Sequence, residues 1–139
     1  MRILFTLISL TLSMPALAQD RVVLVVHGGA GAPPKGTMSK DAEKAHRDAI
    51  ELALKTGRDA LIKGSSLDGV EAAIRVLEDS PLFNAGKGAV FNRDGRQELN
   101  ASIMDGKTKK AGALAGITRI KNPITGARTI MEKSEHVFM

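Results

Sequence analysis

Residues 22–26 read Val-Val-Leu-Val-Val without a polar interruption. An apolar, mostly β-branched run with no alternation predicts a strand over Arg21–Val26 buried on both faces, as in the inner layers of an α/β structure. It opens onto His27-Gly28-Gly29-Ala30-Gly31-Ala32 and then Pro33-Pro34, which can continue neither strand nor helix and predicts a glycine-rich loop. From Ser39 the apolar period lengthens. Ala42, Ala45, Ala49, Leu52 and Ala53 fall on one face of a helix, with Ser39 as N-cap, Asp41 in the first turn, a Glu51–Lys55 pair, a Gly57 that bends the helix or is tolerated in it, and a stop at Gly64. A second helix, capped by Ser65 or Ser66, repeats the spacing through Leu67, Val70, Ala73, Ile74 and Leu77, pairs Glu71 with Arg75 on its outer face, and is closed by Pro81.

The pattern then breaks. Leu82–Ala89 is apolar and glycine-rich but has neither period, so its backbone polar groups need partners that the segment itself does not supply. Leu99–Met104 and Ala111–Ile120 predict two strands joined by a turn at Asp105-Gly106-Lys107. Asn122-Pro123 opens a helix reaching about Lys133, and a further strand begins at His136-Val137-Phe138. No internal repeat or low-complexity tract is present.

Composition changes this picture mainly at the ends. Of 139 residues 43% are hydrophobic, which excludes intrinsic disorder, and the absence of cysteine excludes a disulfide scaffold, leaving packing to hold the fold. Arg2, the apolar stretch Ile3–Leu12 and the small-x-small triplet Ala16-Leu17-Ala18 predict a secretory leader over residues 1–18, too short to span a bilayer, and a domain over 19–139 in a periplasmic or secreted setting. Loss of Arg2 with that leader lowers the formal charge from +5 to +4. The bases are dispersed and no aromatic residue lies among them, so neither nucleic acid nor, after the leader is cleaved, a membrane is expected as partner. Lys107, Lys109 and Lys110 read as a solvated turn.

Several motifs fail on spacing. Gly29-Ala30-Gly31 lacks the third glycine and the immediate helix of a dinucleotide fingerprint, and Gly86-Lys87 is followed by Gly88 where a phosphate loop needs Ser or Thr. His27-Gly28-Gly29 is similar to an esterase oxyanion loop, but no nucleophile elbow accompanies it. His27, His46 and His136 lack metal-ligand spacing; His46 reads as surface and His136 as a strand end. His27 closes a buried strand beside a flexible backbone, as a site residue or as a donor to a neighbouring carbonyl. Glu78 and Asp79 read as the polar end of a helix. The residues taken singly define an exported α/β chain with two glycine-rich loops and no complete catalytic set.

Longer stretches carry a resemblance. Val25-Val26-His27-Gly28-Gly29-Ala30-Gly31, the run Leu77-Glu78-Asp79-Ser80-Pro81-Leu82-Phe83-Asn84-Ala85-Gly86-Lys87-Gly88-Ala89-Val90-Phe91, and Glu98–Gly106 with its Met104-Asp105-Gly106 resemble the N-terminal portion of plant-type asparaginases, also called isoaspartyl peptidases. The likeness continues through Ala111–Gly116, Asn122-Pro123 and Glu132–Val137. It implies an N-terminal nucleophile hydrolase with a four-layer αββα sandwich, of which this chain is the N-terminal half. It also implies a precursor that cleaves itself before a threonine. The freed hydroxyl attacks the side-chain amide of asparagine or the isopeptide bond of a β-aspartyl dipeptide, with its own α-amino group as base, and the acyl-enzyme is then hydrolysed.

That threonine belongs to a Gly-Thr-Val-Gly-type strand following a long linker, and the sequence to Met139 contains neither; Gly36-Thr37 is unsuitable because a helix starts directly after it. No catalytic residue is therefore assigned, and the partner is expected to be the C-terminal β-subunit half in an (αβ)2 assembly. By the same resemblance Asn84 sits by the nucleophile, and Gly28 and Gly29 pack against it. A structural sodium ion is held by the main-chain carbonyls of Leu77, Glu78, Ser80, Phe83, Ala85 and Lys87, a hard cation on oxygen ligands, and no organic cofactor is implied. Simple loop geometry is the alternative role for these residues. Asn100 stands where the pattern leads one to expect aspartate. A glycosylasparaginase-like hydrolase and a non-catalytic exported ligand-binding fragment are the other readings.

Overall fold

The structure, a computed structural model, describes residues 22–30, 34 and 36–139. The leader expected over residues 1–18 lies outside them. Two helices come first: α1 (Lys40–Lys63) and α2 (Ser66–Asp79), followed by a loop with a 3-10 turn at Gly86–Gly88. Two antiparallel strands, β1 (Leu99–Met104) and β2 (Ala111–Ile117), then lead to helix α3 (Pro123–Lys133).

The helix ends follow from local chemistry. Ser39 caps α1 by accepting the Ala42 N–H, and Ser65 and Asp68 form a reciprocal capping box at α2. Gly57 is no bend. A Cβ there would lie 2.8 Å from both Ala73 Cβ and the Gly69 carbonyl, and 2.7 Å from Leu24 Cδ2, so the two helices meet with almost no side chain between them. Because this contact sets the buried stripe of α1 on Ala53 and Gly57, Leu52 is turned outward and is 54% exposed, contrary to the expected face; Val70 on α2 is likewise exposed. The expected exposed pairs also shift: Lys55 binds Asp59 at 3.0 Å, not Glu51, and Glu71 turns from Arg75 to Arg128 and Thr125 on α3.

The segment 22–26 forms no helix, and among the described residues no strand pairs with it. Leu24 and Val26 face the helices, whereas Val23 and Val25 are 79% and 83% exposed. The expectation of burial on both faces is therefore met on one only, because α1 and α2 lie on one side and nothing described lies on the other.

The β1–β2 pair packs against α3 to form a second core of Ile103, Leu114, Ile124, Ala127, Ile130 and Met131. Gly112 is the closest approach: a Cβ on it would strike the Ala127 carbonyl and the Met131 amide. The register slips by one residue between Leu99 and Ala101, a bulge in which Asn100 Oδ1 accepts the Gly116 N–H at 2.9 Å. That bond needs only an acceptor oxygen, so asparagine serves there as aspartate would. β2 stops at Ile117, short of the expected Ile120. The strand expected at His136–Phe138 is reduced to a parallel bridge between Phe138 and Ala113, with Ala113 N–H donating to Val137 O at 2.7 Å.

Between α2 and α3, Arg128 donates to Asp68 at 2.7 Å, Glu71 at 2.9 Å and Glu132 at 2.8 Å. Hydrogen bonds from the Ser65 hydroxyl, then from Arg128, pull the Asp68 carboxyl from its ordinary 3.8 to about 2. A carboxylate held more acidic in the folded chain contributes stability that is full above its unfolded value and is lost as pH falls through the folded one. Acid unfolding should thus steepen between pH 4 and 2, and Asp68→Asn should flatten that part of a pH–stability curve followed by circular dichroism. In urea denaturation at neutral pH, Gly112→Ala should cost about 1–3 kcal/mol through overpacking, more than Ser65→Ala, at about 1 kcal/mol for one lost cap.

Candidate functional site

The two glycine-rich loops, far apart in sequence, come together at one end of α1 and α2. They border an open cavity of about 760 Å³ lined by His27, Gly28, Gly29, His46, Phe83 and Asn84. Gly28 lies against the Ile50 side chain and the Phe83 ring, where a Cβ would be 3.3–3.4 Å from each. The Gly29 N–H donates to His27 Nδ1 at 3.0 Å, so His27 acts as an acceptor from its own loop. Asn84 is exposed at the rim, and its Oδ1 accepts the Val90 N–H at 3.0 Å, tying the start of the loop to its end.

His46 was expected on the surface and is instead half-buried. Its Nδ1 is 2.8 Å from Ala42 O and its Nε2 3.2 Å from Leu82 O, and its ring meets the Phe83 ring edge-on at 5.7 Å. It thereby fastens the 80–89 loop to α1. No sequence periodicity marks this role, since it depends on a loop 36 residues away. Thr37, the only threonine near the glycine loop, donates its hydroxyl to Pro34 O at 2.7 Å within the turn before α1.

The backbone of the irregular loop can be followed group by group. Leu77 O accepts from Ser80 N, Phe83 O from Ala85 N, Ala85 O from Gly88 N, and Lys87 O from the Gln97 side chain at 3.4 Å. Each of these carbonyls keeps a second lone pair. Two of the glycines leave room for neighbouring carbonyls: a Cβ on Gly88 would meet the Phe83 and Pro81 oxygens, and a Cβ on Gly86 would meet the Glu78 oxygen. Carbonyl oxygens are the ligands that a hard cation such as sodium takes. Among the described residues no cluster of three His, Asp or Glu side chains could bind a metal instead.

Glu78 departs most from its expected role as the polar end of a helix. It is 3% exposed, and its Oε1 accepts the Ile124 N–H at 3.0 Å, capping the first turn of α3 from outside. Asn122, which precedes that helix, turns its amide to Asp79 Oδ1 at 3.1 Å. Burial pushes the Glu78 carboxyl above its ordinary range, against the lowering effect of the Ile124 N–H and the nearby Asn122 amide. Its Oε2 is buried without a hydrogen-bond partner.

Comparison with known proteins identifies the family. The family model described as asparaginase matches residues 20–139. Over 120 residues the chain is 48% identical to the isoaspartyl peptidase of Escherichia coli (strain K12), covering 86% of this chain and 37% of that protein. It is 50% identical over 118 residues to the plant-type L-asparaginase of Pyrococcus furiosus, covering 85% of this chain and 37% of the relative. The chain belongs to the asparaginase family. It spans a little over a third of the length of these relatives, and the likeness includes His27-Gly28-Gly29, the Asn84 loop and the β1–β2 pair.

The loop's dependence on two glycines gives a local prediction. Gly88→Ala should push the Phe83 and Pro81 carbonyls apart. Hydrogen exchange should then speed up over residues 80–89 while β1, β2 and α3 stay protected; protection of the loop equal to the parent's would refute this account of its geometry.

Proposed function

We propose that this chain is the N-terminal portion of an exported threonine-nucleophile amidohydrolase that hydrolyses L-asparagine, β-aspartyl dipeptides or both after self-cleavage of a longer precursor. The observation that carries the reading is the family match across residues 20–139 together with relatives named isoaspartyl peptidase and plant-type L-asparaginase. The cavity shared by Gly28, Gly29 and Asn84 supports it, because three residues that the resemblance places beside the nucleophile lie around one opening.

In this reading the remaining strands of a four-layer αββα sandwich cover the Val23 and Val25 face, and the nucleophilic threonine comes from that remainder. The threonine hydroxyl adds to the amide carbon, the amine or ammonia leaves with a proton, and water releases the acyl group. Gly28 and Gly29 let the backbone approach the threonine closely. Asn84 orients the cleavage site or the bound amide by the side-chain nitrogen left free when its oxygen holds Val90 N–H. The carbonyls of Leu77, Glu78, Ser80, Phe83, Ala85 and Lys87 hold a sodium ion that fixes the loop carrying Asn84. The ion's contribution is positional, and the complete protein is an (αβ)2 assembly in the periplasm or outside the cell.

The test is to produce residues 19–139 alone and in continuity with the C-terminal remainder of the Escherichia coli relative, and to measure ammonia release from asparagine and cleavage of β-aspartyl dipeptides. The continued chain should be active and the shorter one inactive, with glycosylated asparagine left uncut. Asn84→Ala in the continued chain should lower kcat by about a hundredfold, the scale expected when a reacting group loses its alignment. Turnover by residues 19–139 alone would overturn the reading.

A further inference from the structure

His46, on α1, lines the same opening as Gly28 and Asn84, and its ring nitrogens face two different carbonyls. The Nδ1 contact to Ala42 O, at 2.8 Å, stays within α1 and sets the direction of the ring. The Nε2 contact to Leu82 O, at 3.2 Å, crosses from the helix to the loop. Ala42 O already receives the His46 backbone N–H along the helix, whereas no other donor among the described residues reaches Leu82 O. A carbonyl oxygen only accepts, so this crossing bond needs the proton on Nε2.

Leu82 is followed by Phe83 and then by Asn84. Phe83 O accepts the Ala85 N–H at 2.8 Å, which folds the backbone tightly around Asn84, and Asn84 Oδ1 accepts the Val90 N–H at 3.0 Å. The asparagine is thus held downstream by Val90, and upstream by whatever fixes Leu82 and Phe83. His46 touches both of these, the first through Nε2 and the second edge-on, ring to ring, at 5.7 Å. We propose that His46 is a positioning residue of the reaction: its Nε2 donates to Leu82 O and so places the Asn84 amide for turnover. This rests on the amidohydrolase reading given above, through the role of Asn84 there. A misplacement of about 1 Å in a reacting or orienting group costs on the order of a hundredfold in rate. One hydrogen bond from a rigid helix to the loop backbone, next to the orienting residue, is therefore enough to control the rate without touching substrate.

The experiment uses the chain continued by the C-terminal remainder of the Escherichia coli relative, with kcat and KM for asparagine and a β-aspartyl dipeptide expressed per self-cleaved chain, below the lowest Tm of the set. His46→Phe keeps a ring against Phe83 but has no nitrogen. Its kcat should fall about tenfold with KM close to the parent's, the pattern of an alignment lost in the transition state. A glutamine amide nitrogen falls near Nε2 and an asparagine one near Nδ1. His46→Gln should therefore recover most of the lost kcat and His46→Asn little of it, although both lack the ring. On an Asn84→Ala background, His46→Phe should cost no more than about twofold further, because the residue it places is gone. If His46→Phe does not fold, the contrast between His46→Gln and His46→Asn decides alone. Absence of turnover in the parent would overturn the amidohydrolase reading and this inference with it. With an active parent, equal kcat for His46→Gln and His46→Asn, a loss that falls on KM alone, or a full added cost on the Asn84→Ala background would overturn the positioning role and leave the reading of function standing.

Discussion

The last turn of α2 joins everything described in this chain. On one side Leu77 enters the core with Ala53 and Phe83, and on the other the Glu78 carboxylate holds the Ile124 N–H at the start of α3. A carboxylate at a helix N-terminus satisfies an amide that the helix cannot satisfy itself and lies at the favourable end of its dipole. Here it comes from a different element, so one bond fixes both the direction of α3 and its height against α2. Arg128 repeats the link one turn further along, through Asp68 and Glu71. These polar contacts act beside Leu67 and Ile74 of α2, which pack against the core of the β1–β2–α3 unit.

This junction also sets the site. The chain leaves α2 directly into the loop that carries Phe83 and Asn84, so the loop's carbonyls and its asparagine are placed by the same turn. His46 and Phe83 close the other side and bring the loop against α1, within reach of Gly28. Small residues are used wherever backbones must touch: Gly57 between the helices, Gly112 under α3, and Gly88 inside the loop. The exposed Val23 and Val25 and the unpaired backbone of residues 22–26 belong to the same logic, because a segment with such a sequence is built for the middle of a sheet.

Much of the local structure was legible from the chain. The caps at Ser39 and Ser65, the ends of α1 and α2, the β1–β2 hairpin and the proline-led start of α3 all follow from residue types that satisfy backbone groups nearby. The partly mistaken faces of α1 and α2 have a single cause. Periodicity indicates that a helix has an apolar stripe, but the stripe's centre is decided by where the neighbouring backbone can approach, and Gly57 moved it away from Leu52. The redirection of Glu71 to Arg128 and of Lys55 to Asp59 is similar, since a long side chain takes the best partner within reach.

The family, the α/β character, and the presence of two glycine-rich loops were determined by the sequence itself, because they rest on residue types and spacings within short segments. Gly28, Gly29 and Asn84 could be singled out there, but their meeting around one opening could not. Only the tertiary structure decided that Glu78 is buried, that one of its oxygens lacks a partner, and that His46 pins the loop. The physical reason is range. Caps, turns and periodicities are satisfied within a few residues, whereas burial of a charge depends on what the chain brings back from 46 residues away.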